Sequence, residues 1–257
     1  MMDIVGRYES SPFLYHYTKQ VNYIISIIEK GFFPRLNDED YSFLFPHLGR
    51  AYTMVSIPMV CFTDIPIGQN RLTVHTKAYG RYAIGLTKRW AVKNRLNPVH
   101  YIVPETIPVK AFQELFTYCD KPSEDERTSK QLQNSLWTLA AYFKVYYSET
   151  RPGQEKKIYY NEREWRYVPA LLDSEISDTV NYLCGPHIQN MTYRTQITKK
   201  MENHPLLFSA EDVTEIIVRS EDERRKVIEA ISKMDRFPLE DKKSLSEKIV
   251  NVDNDVL

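Results

Sequence analysis

The chain has 257 residues, with 34 Lys+Arg against 34 Asp+Glu, so it is long enough for one sizeable core and has no formal net charge at pH 7. A neutral molecule has no overall field toward nucleic acid or an anionic membrane, and only a local basic cleft could serve such a partner. Cys61, Cys119 and Cys184 are odd in number, far apart and outside any C-x-x-C pattern, which argues against a disulfide framework or zinc site and for a reducing compartment. No basic-then-apolar leader is read at Met1–Arg7, and no run approaches the roughly 18 apolar residues of a membrane helix. A soluble cytoplasmic protein with no membrane partner and no metal is expected.

Phe13 to Thr18 alternates as a strand, and Val21, Ile24, Ile25 and Ile28 then fall at helical spacing up to Gly31, a natural helix end. His16 therefore sits near the carboxyl end of a strand that runs into a helix, a common place for ligand groups; a half-buried, hydrogen-bonded core histidine is the plainer reading. Residues 32–54 have no clear period and read as a long loop with a short helix, of the kind that often carries function. Met59–Phe62 is continuously apolar and predicts a buried strand ended by Asp64 and Pro66.

Further strands are predicted over 78–86 and 98–103, with helices over 88–94 and 107–116. A charged connection at 121–129 leads to a helix over Gln131–Ser148, carried by Leu132, Leu136, Leu139, Ala140, Phe143 and Tyr147. After a polar break at 154–157, residues 158–169 alternate as a strand. A strand at 215–218 and a helix from near Ser220, with a capping-box start and a buried face at Val227, Ile228 and Ile231, close the domain. This organisation gives one domain over 1–235 and a polar helix and tail over 236–257, without internal repeats.

Glu162, Glu164 and Arg166 are spaced two apart in a predicted strand, so they should share a face. Adjacent carboxylates raise each other's pKa unless a cation relieves them, and among Tyr159, Tyr160, Trp165 and Tyr167 they suit a cleft better than a solvated charge ladder. No Gly-rich phosphate loop, His-x-x-x-His pair or Gly-x-Ser-x-Gly elbow is present, which disfavours kinases, Rossmann dehydrogenases, zinc proteases and serine hydrolases. His75, Tyr79 and Lys144 read as structural.

Tyr15-His16-Tyr17-Thr18, followed by an apolar helix carrying Asn22, resembles the opening of the ADP-ribosyltransferase superfamily, in particular its DNA-modifying toxins. The set Ile57 to Pro66, Tyr79-Gly80, Ile84-Gly85-Leu86 and Glu162-Arg163-Glu164-Trp165-Arg166-Tyr167 resembles the abortive phage-infection family AbiGi, from about Phe13 to about Ile231. The resemblance implies an α+β fold, a split, mostly antiparallel sheet with flanking helices, of ADP-ribosyltransferase-like form. It implies NAD as substrate, with His16 gripping the ribose, Glu164 at the 2′-hydroxyl and Glu162 completing a Glu-x-Glu pair. Tyr17, Phe62 or Tyr79 would cover the nicotinamide, and Thr18, Asn22 and Arg166 would complete the cofactor site. The product would be ADP-ribose moved to a phage or host macromolecule, nucleic acid included, or simply cleaved NAD. No copy of the superfamily's second-strand Tyr or Ser-Thr-Ser motif is found, which keeps open a non-catalytic antitoxin or sensor that binds a cognate toxin. On the transferase reading His16 and Glu164 face one cleft, with Tyr15 and Trp165 turned away into packing.

Overall fold

A computed structural model describes residues 11–49, 53–65, 79–119, 126–148, 157–169 and 183–251. His75 and Pro66 lie outside them. The main sheet runs in the order β11-β10-β4-β1-β3-β8-β5, formed by β1 (Phe13–Thr18), β3 (Met54–Thr63), β4 (Tyr82–Thr87), β5 (Asn97–Pro98), β8 (Glu164–Tyr167), β10 (Val213–Val218) and β11 (Ile249–Asn251). Two more strands, β2 (Arg35–Asp40) and β9 (Leu183–Cys184), pair with the first half of β3. All these pairings are antiparallel except β10 with β11. The fold is thus α+β with a mostly antiparallel open sheet.

The sheet has a waist. β1 pairs with β4 along its whole length, from Phe13↔Thr87 to Thr18↔Tyr82, but meets β3 at a single register, Tyr15↔Thr63. Opposite residues of an antiparallel ladder project to the same face, which sorts the core. Leu14, Phe62, Ile84 and Leu86 pack beneath α1 (Val21–Lys30), α2 (Lys88–Lys93) and α6 (Glu221–Ser232). On the other face, Val55, Ile57 and Met59 of β3 meet α3 (Ile107–Cys119) and α4 (Glu126–Ala140) through Val109, Phe112, Leu136 and Ala140. Helix α1 forms as its periodicity predicts, burying Ile24 and Ile28, and stops at Gly31, whose φ of 84° and contact with the Leu206 carbonyl exclude a side chain.

Three elements differ from the sequence expectation. The polar run Arg35–Asp40 is β2, not loop, because the apolar strand β3 offers it a ladder from Arg35↔Met59 to Asp40↔Met54, and tertiary pairing overrides weak propensity. The helix expected to reach Ser148 ends at Ala140, and Phe143–Val145 is β7, paired in parallel with β6 (His100–Ile102). Of its expected stripe, Leu136 and Ala140 are buried, whereas Leu132 and Leu139 face solvent. The strand expected over 158–169 is a 3-10 turn at Tyr159–Glu162 followed by β8. Beyond residue 236, the polar segment supplies α7 (Leu239–Glu247) and β11, which pairs with β10 at Ile216↔Ile249, and Leu245 and Ile249 join the core. A further helix, α5 (Met191–Met201), lies against β2 and is capped by Asn190. No helix among the described residues is long and apolar enough to cross a membrane.

Candidate functional site

Arg163 sits in the left-handed region at φ 45° and separates the 3-10 turn that ends at Glu162 from the strand that begins at Glu164. Simple strand parity is therefore broken between the two glutamates, yet their carboxylates converge. Lys144 Nζ donates to Glu162 Oε2 and to Glu164 Oε2, each at 2.7 Å. Lys157 Nζ lies 2.8 Å from Glu162 Oε1, and the Tyr79 hydroxyl donates to the same oxygen at 3.1 Å. Beneath them Arg166 donates from Nε to Glu164 Oε1 at 2.7 Å and from Nη2 to Glu164 Oε2 at 3.3 Å and Glu39 Oε1 at 2.7 Å. Its Nη1 donates to the Ala141 carbonyl at 2.7 Å, and the Glu164 backbone N–H donates to the Tyr101 hydroxyl at 2.8 Å. Charge-assisted bonds of this length are the strong kind, and all four carboxylate oxygens of the glutamate pair are engaged.

The titration of these groups follows from the pairing. Burial pushes the Glu164 carboxyl up, but Arg166 and Lys144 outweigh it and hold it well below the usual carboxylate range. Burial acts likewise on Glu162, and Lys144 and then Lys157 overcome it. Burial would discharge Lys144, yet Glu164, Glu39 and Glu162 keep it charged to well above the usual ammonium range. The expected relief of the carboxylate pair by a cation is thus present, with Lys144 as its centre and Arg166 as its base.

The network borders a cleft of about 1400 Å³ that also touches His16, Thr18, Phe62 and Tyr79. This exceeds the usual range for a site holding one small ligand. Its described lining is acidic: Asp38, Glu39, Asp40, Glu105, Glu162 and Glu164 stand against Lys19, Arg35 and Lys144. His16 packs edge-on to Phe32 with centroids 5.1 Å apart and against Phe62 at 5.5 Å, and its Nδ1 lies 2.8 Å from the Cys61 carbonyl oxygen. A carbonyl only accepts, so Nδ1 carries the proton. Burial lowers the His16 pKa against the pull of that hydrogen bond, and the ring is neutral at pH 7.

His16 and Glu164 both border the cleft, but on different faces of the sheet. The registers Tyr15↔Thr63 and Thr63↔Glu164 place Tyr15 and Glu164 on one face, and His16, next to Tyr15 in β1, on the other. The cleft reaches both because the strands part at the waist. Trp165 turns into the core beneath α1 and α2 as expected. Tyr15 does not turn away from the Glu164 face; its hydroxyl donates to Glu215. Among the other expected residues, Phe62, Tyr79, Thr18 and Tyr17 border the cleft. Arg166 is 0% exposed and props Glu164 and Glu39 from below, so it has no surface for a cofactor. Asn22 stands on the exposed side of α1, accepts from Lys226 Nζ at 2.8 Å, and does not line the cleft.

Sequence reading missed Lys144 as a site residue, along with Glu39, Tyr101 and Lys157. Two buried acids demand compensating cations, a signal that could have promoted Lys144, flanked by Phe143 and Val145 in strand-like alternation. Glu39 gave none, lying in an acidic run without period.

The family model described as "Putative abortive phage resistance protein AbiGi, antitoxin" matches residues 30–219. The chain belongs to the AbiGi family. The matched span holds Glu39, Lys144, Glu162, Glu164 and Arg166. A lactococcal relative, "Abortive phage resistance protein AbiGi" of Lactococcus lactis subsp. cremoris, is 29% identical over 246 residues, covering 87% of this chain and 97% of its own. No solved structure matches the chain.

Proposed function

We propose that the protein serves abortive phage defence as a binding module, an antitoxin or sensor that engages a cognate partner such as a toxin. The observation that carries this reading is the commitment of every oxygen of the glutamate pair to a donor of the chain itself. A carboxylate that stabilises a developing sugar cation must present an oxygen to the ribose, and each Glu164 oxygen already accepts from Arg166, one of them also from Lys144. The acidic lining also opposes a pyrophosphate. The family description, which includes the word antitoxin, supports the same reading.

A second reading, an ADP-ribosyltransferase-like enzyme using NAD without a metal, is supported by the bordering of one cleft by His16 and Glu164, and opposed by their standing on different faces of the sheet. On this reading Lys144, with three donors, turns to the pyrophosphate and leaves Glu164 Oε2 with Arg166 alone and an open acceptor site for the 2′-hydroxyl, since catalytic hydrogen bonds tighten only once substrate is bound. The acceptor would be a macromolecule, nucleic acid included.

Incubation of the purified protein with labelled NAD and host lysate or nucleic acid, beside co-expression with the cognate toxin, separates the two. The binding reading expects no label transferred, no NAD consumed, and growth arrest relieved in the co-expressing cells. NAD consumption that Glu164→Gln abolishes in a folded variant would overturn it.

A further inference from the structure

Helix α3 carries two apolar faces. One is buried, through Val109, Phe112 and Cys119. The other points to solvent: Ile107 is 83% exposed, Leu115 56% and Tyr118 70%, with exposed Ala111 between them. The offsets of 4, 8 and 11 residues put these four on one stripe, opposite the buried one. Contiguous exposed apolar surface of this kind is what marks interaction sites, whereas apolar residues scattered singly over a surface are ordinary. The buried face already seats α3 on the domain, so packing among the described residues leaves the stripe unexplained.

The pattern along the stripe points to its occupant. Lys110 and Glu114 are exposed on one flank of it. Two antiparallel copies of α3, related by a two-fold axis between Phe112 and Gln113, would bring Ile107 of one copy opposite Tyr118 of the other. The same axis sets Ala111 within one residue of the other copy's Leu115, and Lys110 within one residue of its Glu114. In an antiparallel helix pair, like flanks meet, so each Lys110 faces a Glu114 and the charges complement themselves without a second sequence. Ala111 at the centre lets the axes approach closely. A shallow depression between Lys110, Gln113, Thr117 and Tyr118 offers a seat for a side chain from the other copy.

We infer that α3 is a two-fold dimer interface, and that its occupant is a second copy of this chain. The inference is independent of the reading of the cleft. Light scattering or sedimentation of the full chain from about 1 to about 100 μM tests it. A concentration-dependent dimer is expected, which Leu115→Ser disperses. Lys110→Glu and Glu114→Lys should each weaken it about tenfold by placing like charges across the axis, and the double exchange should restore it. These substitutions lie on an exposed helix face, and unchanged circular dichroism shows that the fold is kept. A protein that stays monomeric throughout the range overturns the inference and leaves the stripe to another chain. So does a dimer that ignores Leu115→Ser, or a double exchange that fails to restore what the single changes lost.

Discussion

Arg166 Nε lies 2.7 Å from Glu164 Oε1, with both side chains buried on one face of β8. Two residues apart on a strand is the spacing that brings them together, and the pairing makes each the condition for burying the other. Glu164→Gln preserves shape but leaves the buried cations Arg166 and Lys144 with one paired carboxylate each, Glu39 and Glu162, and the cluster one negative charge short. It is expected to lower stability by about 3–5 kcal/mol, a fall of roughly 10 °C or more in thermal midpoint for a chain this size. Combined with Arg166→Met, which also deprives Glu39 of its partner, it should cost less than the two single losses added together, as a double-mutant cycle in urea would show. A Glu164→Gln protein as stable as the parent would remove the structural role assigned to this carboxylate.

Lys144 ties the two carboxylates together, and its removal should be read through pH. Glu162 and Glu164 have folded values below their ordinary 4.5. Their ion pairs therefore add stability at pH values above about 4.5, and that stability is lost as pH falls through the depressed folded values. In Lys144→Met the depression shrinks, so neutral stability should drop while the slope of unfolding free energy between about pH 5 and pH 2 becomes shallower. Urea midpoints across that range would measure it. A slope as steep as the parent's would place the acid sensitivity elsewhere.

The strand and helix at Phe13–Lys30, the buried strand ending at Thr63, and the shared face of Glu164 and Arg166 follow from local periodicity, whereas Glu162 joins them only through the left-handed turn at Arg163. Glu39 could not be found this way, because its strand exists only through pairing with β3, and its ion pair with Arg166 spans 127 positions. The sequence pattern puts Lys144 in a helix rather than in β7: the apolar spacing of α4 runs on into Phe143, and nothing local announces the parallel partner His100–Ile102. The face of His16 depends on a single bridge, Tyr15↔Thr63, and such a register cannot be read from either strand alone.

His16 is held neutral by burial, its Nδ1–H on the Cys61 carbonyl. Its folded value is below the ordinary 6.5, so protonation favours the unfolded chain. Stability is full above pH 6.5 and falls as the pH drops toward the folded value. His16→Gln keeps a donor for the carbonyl and removes the titration. The variant is expected to start slightly less stable, from lost contact with Phe32 and Phe62, and to lose less than the parent between about pH 7 and pH 5. Parallel pH dependence in both proteins would mean that His16 does not titrate on unfolding.

Gly80 connects the cleft to the end of β1. Its φ is 111°, and a side-chain carbon there would stand 1.9 Å from the Thr18 carbonyl oxygen and 2.6 Å from the Lys19 nitrogen. Both obstacles are backbone, so no rotamer change relieves them, and the positive φ adds strain of its own. The neighbouring Tyr79 reaches Glu162 Oε1 from this turn. Gly80→Ala should therefore displace both the turn and the tyrosine, and lower stability by more than about 2 kcal/mol. Tyr79→Phe keeps the ring and removes the hydroxyl with its hydrogen bond to the charged Glu162, and sets the comparison at about 1.5–3 kcal/mol. If displacement of Tyr79 accounts for part of the Gly80→Ala effect, adding Tyr79→Phe to that variant should lower stability less than it does in the parent protein. Additive losses in urea denaturation would separate the turn from the tyrosine, and leave the close approach of Gly80 to Thr18 as a feature of the fold alone.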